Sequence, residues 1–224
     1  LAPYGDDTKT IPGTKKTYKE IFKEIISEDG DFDFIIEPSW ISYYHVRDKW
    51  ISDKFIEIFG PIREPSSEVT DNHKNIAAAL QNRIEEIVLK QLDTAKRKFN
   101  QRRLCFAGGV ALNCSLNGKI IENGLFEEIF VQPASGDNGA ALGACLLSHK
   151  ILAGNLKPKK IHDFYLGSRF SNDEIKKILE KYDVKYSYQE NVSHETAISL
   201  KNGKIVGWFQ GGAEFGPRAL GNRS

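Results

Sequence analysis

Apolar positions along the chain repeat with two periods, and the period predicts each element. Tyr18, Ile21, Phe22 and Ile25 share one face of a short helix over residues 18–26. Phe32, Phe34 and Ile36 alternate with polar neighbours and predict a strand over residues 31–37, with residues 39–44 continuing or pairing with it. Ile76, Leu80, Ile84, Ile87, Val88 and Leu92 form the longest helical stripe, over residues 72–97, with Asp71 as its cap and Arg83, Glu85, Glu86 and Lys90 on a solvated face. Residues 104–107 and 129–131 are short continuous apolar runs, each followed by a glycine-bearing loop and then a helix rich in small residues. Leu112, Leu116 and Ile120 mark the first of those helices, and residues 140–147 the second. Beyond a Gly, Asn, Pro and Lys-rich stretch at 150–160, residues 164–167 and 185–188 read as strands, and residues 172–182 as a helix opened by a Ser171–Glu174 capping box. A helix over 192–200 ends at the turn pair Asn202-Gly203, and residues 205–209 form a buried strand that opens onto a last loop.

Strand, loop and helix occurring twice predict an α/β fold. If the two strands are parallel neighbours, both loops leave the sheet at the edge where ligands of open α/β folds bind. Gly108-Gly109 at a helix start brings unpaired backbone amides within reach of an anion, or makes only a turn. Asp137, between Gly136 and Asn138-Gly139, is a carboxylate that one more ligand set would turn into a metal site, or a simple helix cap. The last loop, QGGAEFGPRALGNRS, gathers Glu214, Arg218 and Arg223 on a glycine frame, and guanidinium forks there suit a phosphate or carboxylate. Arg63, in the segment FGPIR, reads as a solvated loop arginine, and the basic tract Lys96, Arg97, Lys98, Arg102 and Arg103 as a solvated helix end.

The wording AGGVALNCSLNGKI, then QPASGDNGAALGA, then EFGPRALGNRS resembles the O-carbamoyltransferase family of nodulation-factor and antibiotic carbamoyltransferases. The first two motifs are also similar, at greater distance, to the enzymes that transfer threonylcarbamoyl to tRNA. The resemblance implies that residues 1–155 are the second half of an actin-like ATPase (RNase H-like) domain. It implies that residues 161–224 begin a smaller α/β carboxyl-terminal domain. In the family LAPYG lies inside the first domain, so the chain is expected to be a fragment. The implied activity joins carbamoyl phosphate to ATP as carbamoyl-adenylate and moves the carbamoyl group to the hydroxyl of a small acceptor, with a divalent metal, Fe(II), at the adenylate.

Carried over by motif, Gly108, Gly109, Asn113, Gly136 and Asn138 contact the nucleotide, Asp137 is a metal ligand, and Glu214, Arg218 and Arg223 bind substrate. Two departures stand out: Gly212 where members usually carry Arg, and Asn138 where they often carry Ala. The family's His-x-x-x-His pair has no match among His45, His73, His149, His162 and His194, so the metal set is expected to be incomplete here. A tRNA-directed relative and a non-catalytic nucleotide-binding scaffold are the alternative readings.

Composition narrows the rest. Lys plus Arg number 31 against 30 Asp plus Glu, which gives no general bias toward nucleic acid or membrane. No apolar run approaches the length of a membrane span and no leader pattern is present, so a cytoplasmic location is the expectation. The three cysteines, Cys105, Cys114 and Cys145, lack metal spacing and read as reduced core residues.

Overall fold

The computed structural model describes residues 1–154, 161 and 163–224. The stretch expected to separate two domains falls largely on residues 155–160, which with His162 lie outside the described residues. The chain forms two compact units, one of residues 1–104 and 114–129, the other of residues 105–113 and 130–224.

In the first unit, helix α1 (Tyr18–Ile25) starts at Thr17, whose side chain accepts from the Glu20 N–H while Glu20 returns a bond to the Thr17 N–H. Its apolar face carries Tyr18, Ile21, Phe22 and Ile25, all 5% exposed or less, which join Ile11, Trp40, Phe59 and Ala79 in one core. The chain then turns directly into strand β1 (Ile26–Asp29), antiparallel to β2 (Asp33–Ile36) with Ile26 opposite Ile36. Only β2 was legible as alternation. Residues 38–40 form a 3-10 turn and Ile41 bridges Ile51, in place of the strand expected over 39–44. Helix α2 (Asp53–Phe59) brings Phe55 and Phe59 to the core, their rings 4.5 Å apart.

Helix α3 (Asp71–Phe99) is the spine of this unit. Thr70, not Asp71, precedes its first turn, and the Thr70 N–H donates to His73 Nδ1. Its charged face is not uniformly solvated as the sequence suggested: Arg83 and Glu85 are 6% and 3% exposed, whereas Leu80 is 41% exposed. The reason is that α3 is covered on more than one side. Arg83 Nε donates to the Ile26 carbonyl and its Nη1 meets Glu28 and Glu86, while Glu85 pairs with Lys119 of helix α4 (Cys114–Asn123). On α4, Leu116 and Ile120 are fully buried, as their spacing predicted. Arg63, within the same unit, donates from Nη1 to the carbonyls of Glu64, Pro65 and Ser67, so it shapes its loop.

Strands β3 (Arg103–Phe106) and β4 (Glu128–Val131) form a two-stranded sheet. The Glu127 N–H donates to Arg102 O and the Gln132 N–H to Phe106 O, so the strands advance together and are parallel. Both end in the second unit, which continues through α5 (Asp137–Ala153), α6 (Asn172–Lys181) and α7 (Val192–Lys201). The Ser171–Glu174 capping box opens α6.

Residues 185–188 form no strand, and of residues 205–209 only Phe209 pairs, in an isolated antiparallel bridge with Arg223, while Ile205 is fully exposed. Residues 164–167 likewise form no ladder strand; they are held by separate bonds to the last loop, Phe215 N–H to Phe164 O and Gly167 N–H to Ala213 O. A strand needs a partner for its backbone groups, and apolarity alone does not supply one. The cysteines also depart from expectation. All three are reduced and exposed, Cys105 because it lies on the outward side of the alternating strand β3.

Candidate functional site

Three loops of the second unit meet, and the candidate nucleotide, metal and substrate residues lie on them or, for Asp137 and Asn138, at the helix start that follows. The first leaves β3 through Gly108, whose φ of +101° is a conformation that side-chain-bearing residues rarely adopt. Its N–H donates to the Ser135 carbonyl at 3.0 Å, which ties this loop to the one after β4. Residues 109–112 then wind into a 3-10 turn closed by Ala111 N–H to Gly108 O and Asn113 N–H to Val110 O. No atom outside Gly109's immediate neighbours lies within 4 Å of where a Cβ on it would stand, so this side of the turn is open.

The second loop leaves β4 through Gln132, whose side-chain oxygen accepts the Ala134 N–H and whose carbonyl accepts the Ser135 hydroxyl. Ala134 and Ser135 are buried, which sets the start of α5 firmly. Gly136 is the cap of that helix and offers no side chain to its first amides. A 17-residue helix without a side-chain cap presents the positive end of its dipole to whatever lies before it. Asp137 is the first helical residue and exposed, and Asn138 Oδ1 accepts the Gly139 N–H. A Cβ on Gly136 would lie 3.7 Å from Leu112 Cδ1, so the two loops are neighbours.

The third loop is the carboxyl-terminal motif. Gly216, with φ of +124°, passes so close to the second loop that a Cβ would lie 2.7 Å from the Pro133 carbonyl oxygen. Arg218 reaches the first loop instead: its Nε and Nη2 donate to the Leu112 carbonyl at 3.0 and 2.7 Å. Glu214 is buried within the third loop. Its Oε1 accepts from the Leu220 and Asn222 amides, both at 2.8 Å, and its Oε2 stands 3.0 Å from Arg223 Nε. Burial alone would raise the Glu214 carboxyl; the Asn222 and Leu220 amides and the Arg223 guanidinium outweigh it and hold the group below the usual carboxylate range.

Gly108, Gly109, Asn113, Gly136, Asp137, Asn138, Glu214, Arg218 and Arg223 are therefore on three adjoining loops and the helix start that follows the second. Sequence reading overlooked Ser135 and Leu112, which act through their carbonyls, a contribution no residue type announces. It also overlooked Arg169. A side chain at Gly212 would meet Arg169 Nε at 2.9 Å, so Arg169 fills the space beside the position where the resembling family usually carries arginine.

The uncapped start of α5 and the open turn at Gly109 fit the phosphates of a nucleotide. A metal is different: among the described residues, no group of three or more His, Cys, Asp or Glu converges, and Asp137 alone does not make a site. Among the described residues, no helix is long and apolar enough to cross a membrane.

Comparison with known proteins bears on the same residues. The family described as "Carbamoyltransferase N-terminus" matches residues 9–146, and "Carbamoyltransferase C-terminus" matches residues 197–224. An uncharacterised protein of Synechocystis is 37% identical over the whole chain, and nodulation protein NolO of Bradyrhizobium diazoefficiens 33%. The chain spans 36% and 38% of the length of these two relatives. A 3'-hydroxymethylcephem-O-carbamoyltransferase of Streptomyces clavuligerus is 33% identical over 66% of the chain and 27% of its own length.

Proposed function

The chain belongs to the carbamoyltransferase family, and from that premise we propose that it is part of an ATP-dependent O-carbamoyltransferase acting on the hydroxyl of a small acceptor. The carrying observation is that the motif loop of the carboxyl-terminal region lies on both glycine loops at once, through Gly216 at Pro133 and Arg218 at Leu112. Family motifs separated by about a hundred positions thus build one place rather than two. The mixed α/β arrangement agrees with the coarse class, and the actin-like assignment of the first region belongs to the same proposal.

In this reading the amides at Gly109 and at the start of α5, with Gly136 and Asn138 beside them, receive nucleotide phosphates. Asn113 closes the turn that presents the first of these. Arg218 binds the phosphate of carbamoyl phosphate, where a fork that stays charged offsets charge on the transferring oxygens. Hydrolysis of carbamoyl phosphate releases phosphate, and the resulting carbamate displaces pyrophosphate from ATP to give carbamoyl-adenylate. The acceptor oxygen then bonds to the carbamoyl carbon as its C–O bond to AMP breaks, AMP leaving with the electron pair and the hydroxyl proton passing to water. Asp137 would contribute one ligand to a divalent metal, a set that the described residues alone do not complete.

The test is an assay of the full-length gene product with ATP, carbamoyl phosphate and a panel of hydroxylated acceptors. A carbamate ester whose formation requires both donors is the expected product. Transfer to tRNA, or nucleotide binding without any transfer, would contradict the proposal.

A further inference from the structure

A carboxylate with no solvent exposure needs a reason to be charged, and Glu214 has one inside its own loop. Its Oε1 accepts from the Leu220 and Asn222 amides, and its Oε2, which accepts no hydrogen bond, lies 3.0 Å from Arg223 Nε as an ion pair. Arg223 in turn donates from Nη2 to the Gly216 carbonyl at 2.6 Å, and the Asn222 side chain donates to the Gly212 carbonyl at 2.9 Å. Outer bonds continue the closure, with the Gln210 N–H on Asn222 O and the Tyr165 hydroxyl on Leu220 O. Residues 214–223 are thus tied at both ends around one buried acid. Arg218, exposed, sits midway along the enclosed segment.

We infer that Glu214, with Arg223, is a positioning residue that fixes the direction of the Arg218 guanidinium and does not itself touch substrate. The inference rests on the reading of Arg218 as the ligand of an anionic carbamoyl donor. Electrostatics distinguishes it from direct contact. A carboxylate facing a phosphate repels it, so neutralising such a residue would tighten the anion. Neutralising a residue that aims the arginine loosens it. Glu214→Gln is the discriminating change, because the amide oxygen still serves Leu220 and Asn222 while the new NH2 group opposes Arg223.

Steady-state kinetics of the full-length gene product, with carbamoyl phosphate varied and ATP saturating, compares wild type, Glu214→Gln, Arg218→Ala and the double variant. Amide exchange over residues 216–222 is followed in parallel. Arg218→Ala is expected to raise KM for carbamoyl phosphate about tenfold or more, the scale of a lost charge-assisted bond. Glu214→Gln is expected to raise it roughly three- to tenfold, to speed exchange at Leu220 and Asn222, and to add nothing in the Arg218→Ala background.

A lowered KM in Glu214→Gln, an equal rise in both backgrounds, or a fall in kcat with KM unmoved each overturns the inference. So does unchanged exchange, which removes its loop-holding premise. An unmoved KM in Arg218→Ala with fast exchange in Glu214→Gln overturns it through the anion premise, which is the signature of failure in the proposed function rather than in the loop.

Discussion

Gly216 shows how one residue decides whether the third loop can lie where it does. Its φ of +124° is strained for any side chain, and a Cβ would press on the Pro133 carbonyl at 2.7 Å. Gly216→Ala must therefore move either the motif loop or the loop after β4. The expected cost is about 1–3 kcal/mol of local strain, felt in the full-length gene product as a raised KM for carbamoyl phosphate. Unchanged kinetics and an unchanged melting temperature would show that this close approach is not maintained. The glycine-rich wording of the motif was legible in the sequence. What the glycine approaches was not, because Pro133 lies 83 positions earlier and meets it through a backbone carbonyl. The role proposed for Arg218 comes from its chemistry alone, whereas its bond to Leu112 O left no trace in either residue type.

At the scale of elements, α3 carries the first unit, and its charges are more deeply involved than its periodicity implied. Arg83 is buried and links α3 to the end of α1 at Ile26 O and to the carboxylates of Glu28 and Glu86. The Glu28 carboxyl is held low chiefly by its bond from Lys90, partly offset by burial, with Arg83 adding to the lowering. For Glu86 burial pushes upward, but Lys19 and Arg83 outweigh it and the group also lies below its usual value. Folded-state values below the unfolded ones mean stability that is present above the usual carboxylate range and is lost as pH falls through the folded values. Thermal unfolding of the full-length gene product is expected to show its first transition falling on acidification. Arg83→Ala is expected to lower that transition at neutral pH by the loss of about 2 kcal/mol, the scale of hydrogen bonds to charged groups, and to flatten its acid dependence. A variant with the wild-type pH slope would contradict this account.

Helices with strong stripes were readable in advance, since α1, α3, α4 and α6 each announce themselves by spacing or by a cap. The hairpin was only half readable. Residues 26–29 carry no apolar alternation of their own, yet pair antiparallel with residues 33–36, so this strand is made by its partner and not by local pattern.

In the molecule as a whole, two parallel strand ends deliver two adjoining loops with a third loop laid across them, and the proposed ligand of the first two is one nucleotide. The parallel order of β3 and β4 was a condition in the sequence reading, and the bonds flanking the strands meet it. Gly108 N–H to Ser135 O then joins the loops directly. The most direct test is amide exchange of the full-length gene product with and without ATP, read over residues 107–113 and 134–140. Slowing of both segments together on adding ATP is the predicted result. Protection of one segment alone, or of neither at saturating nucleotide, would contradict the claim that the two loops share a ligand.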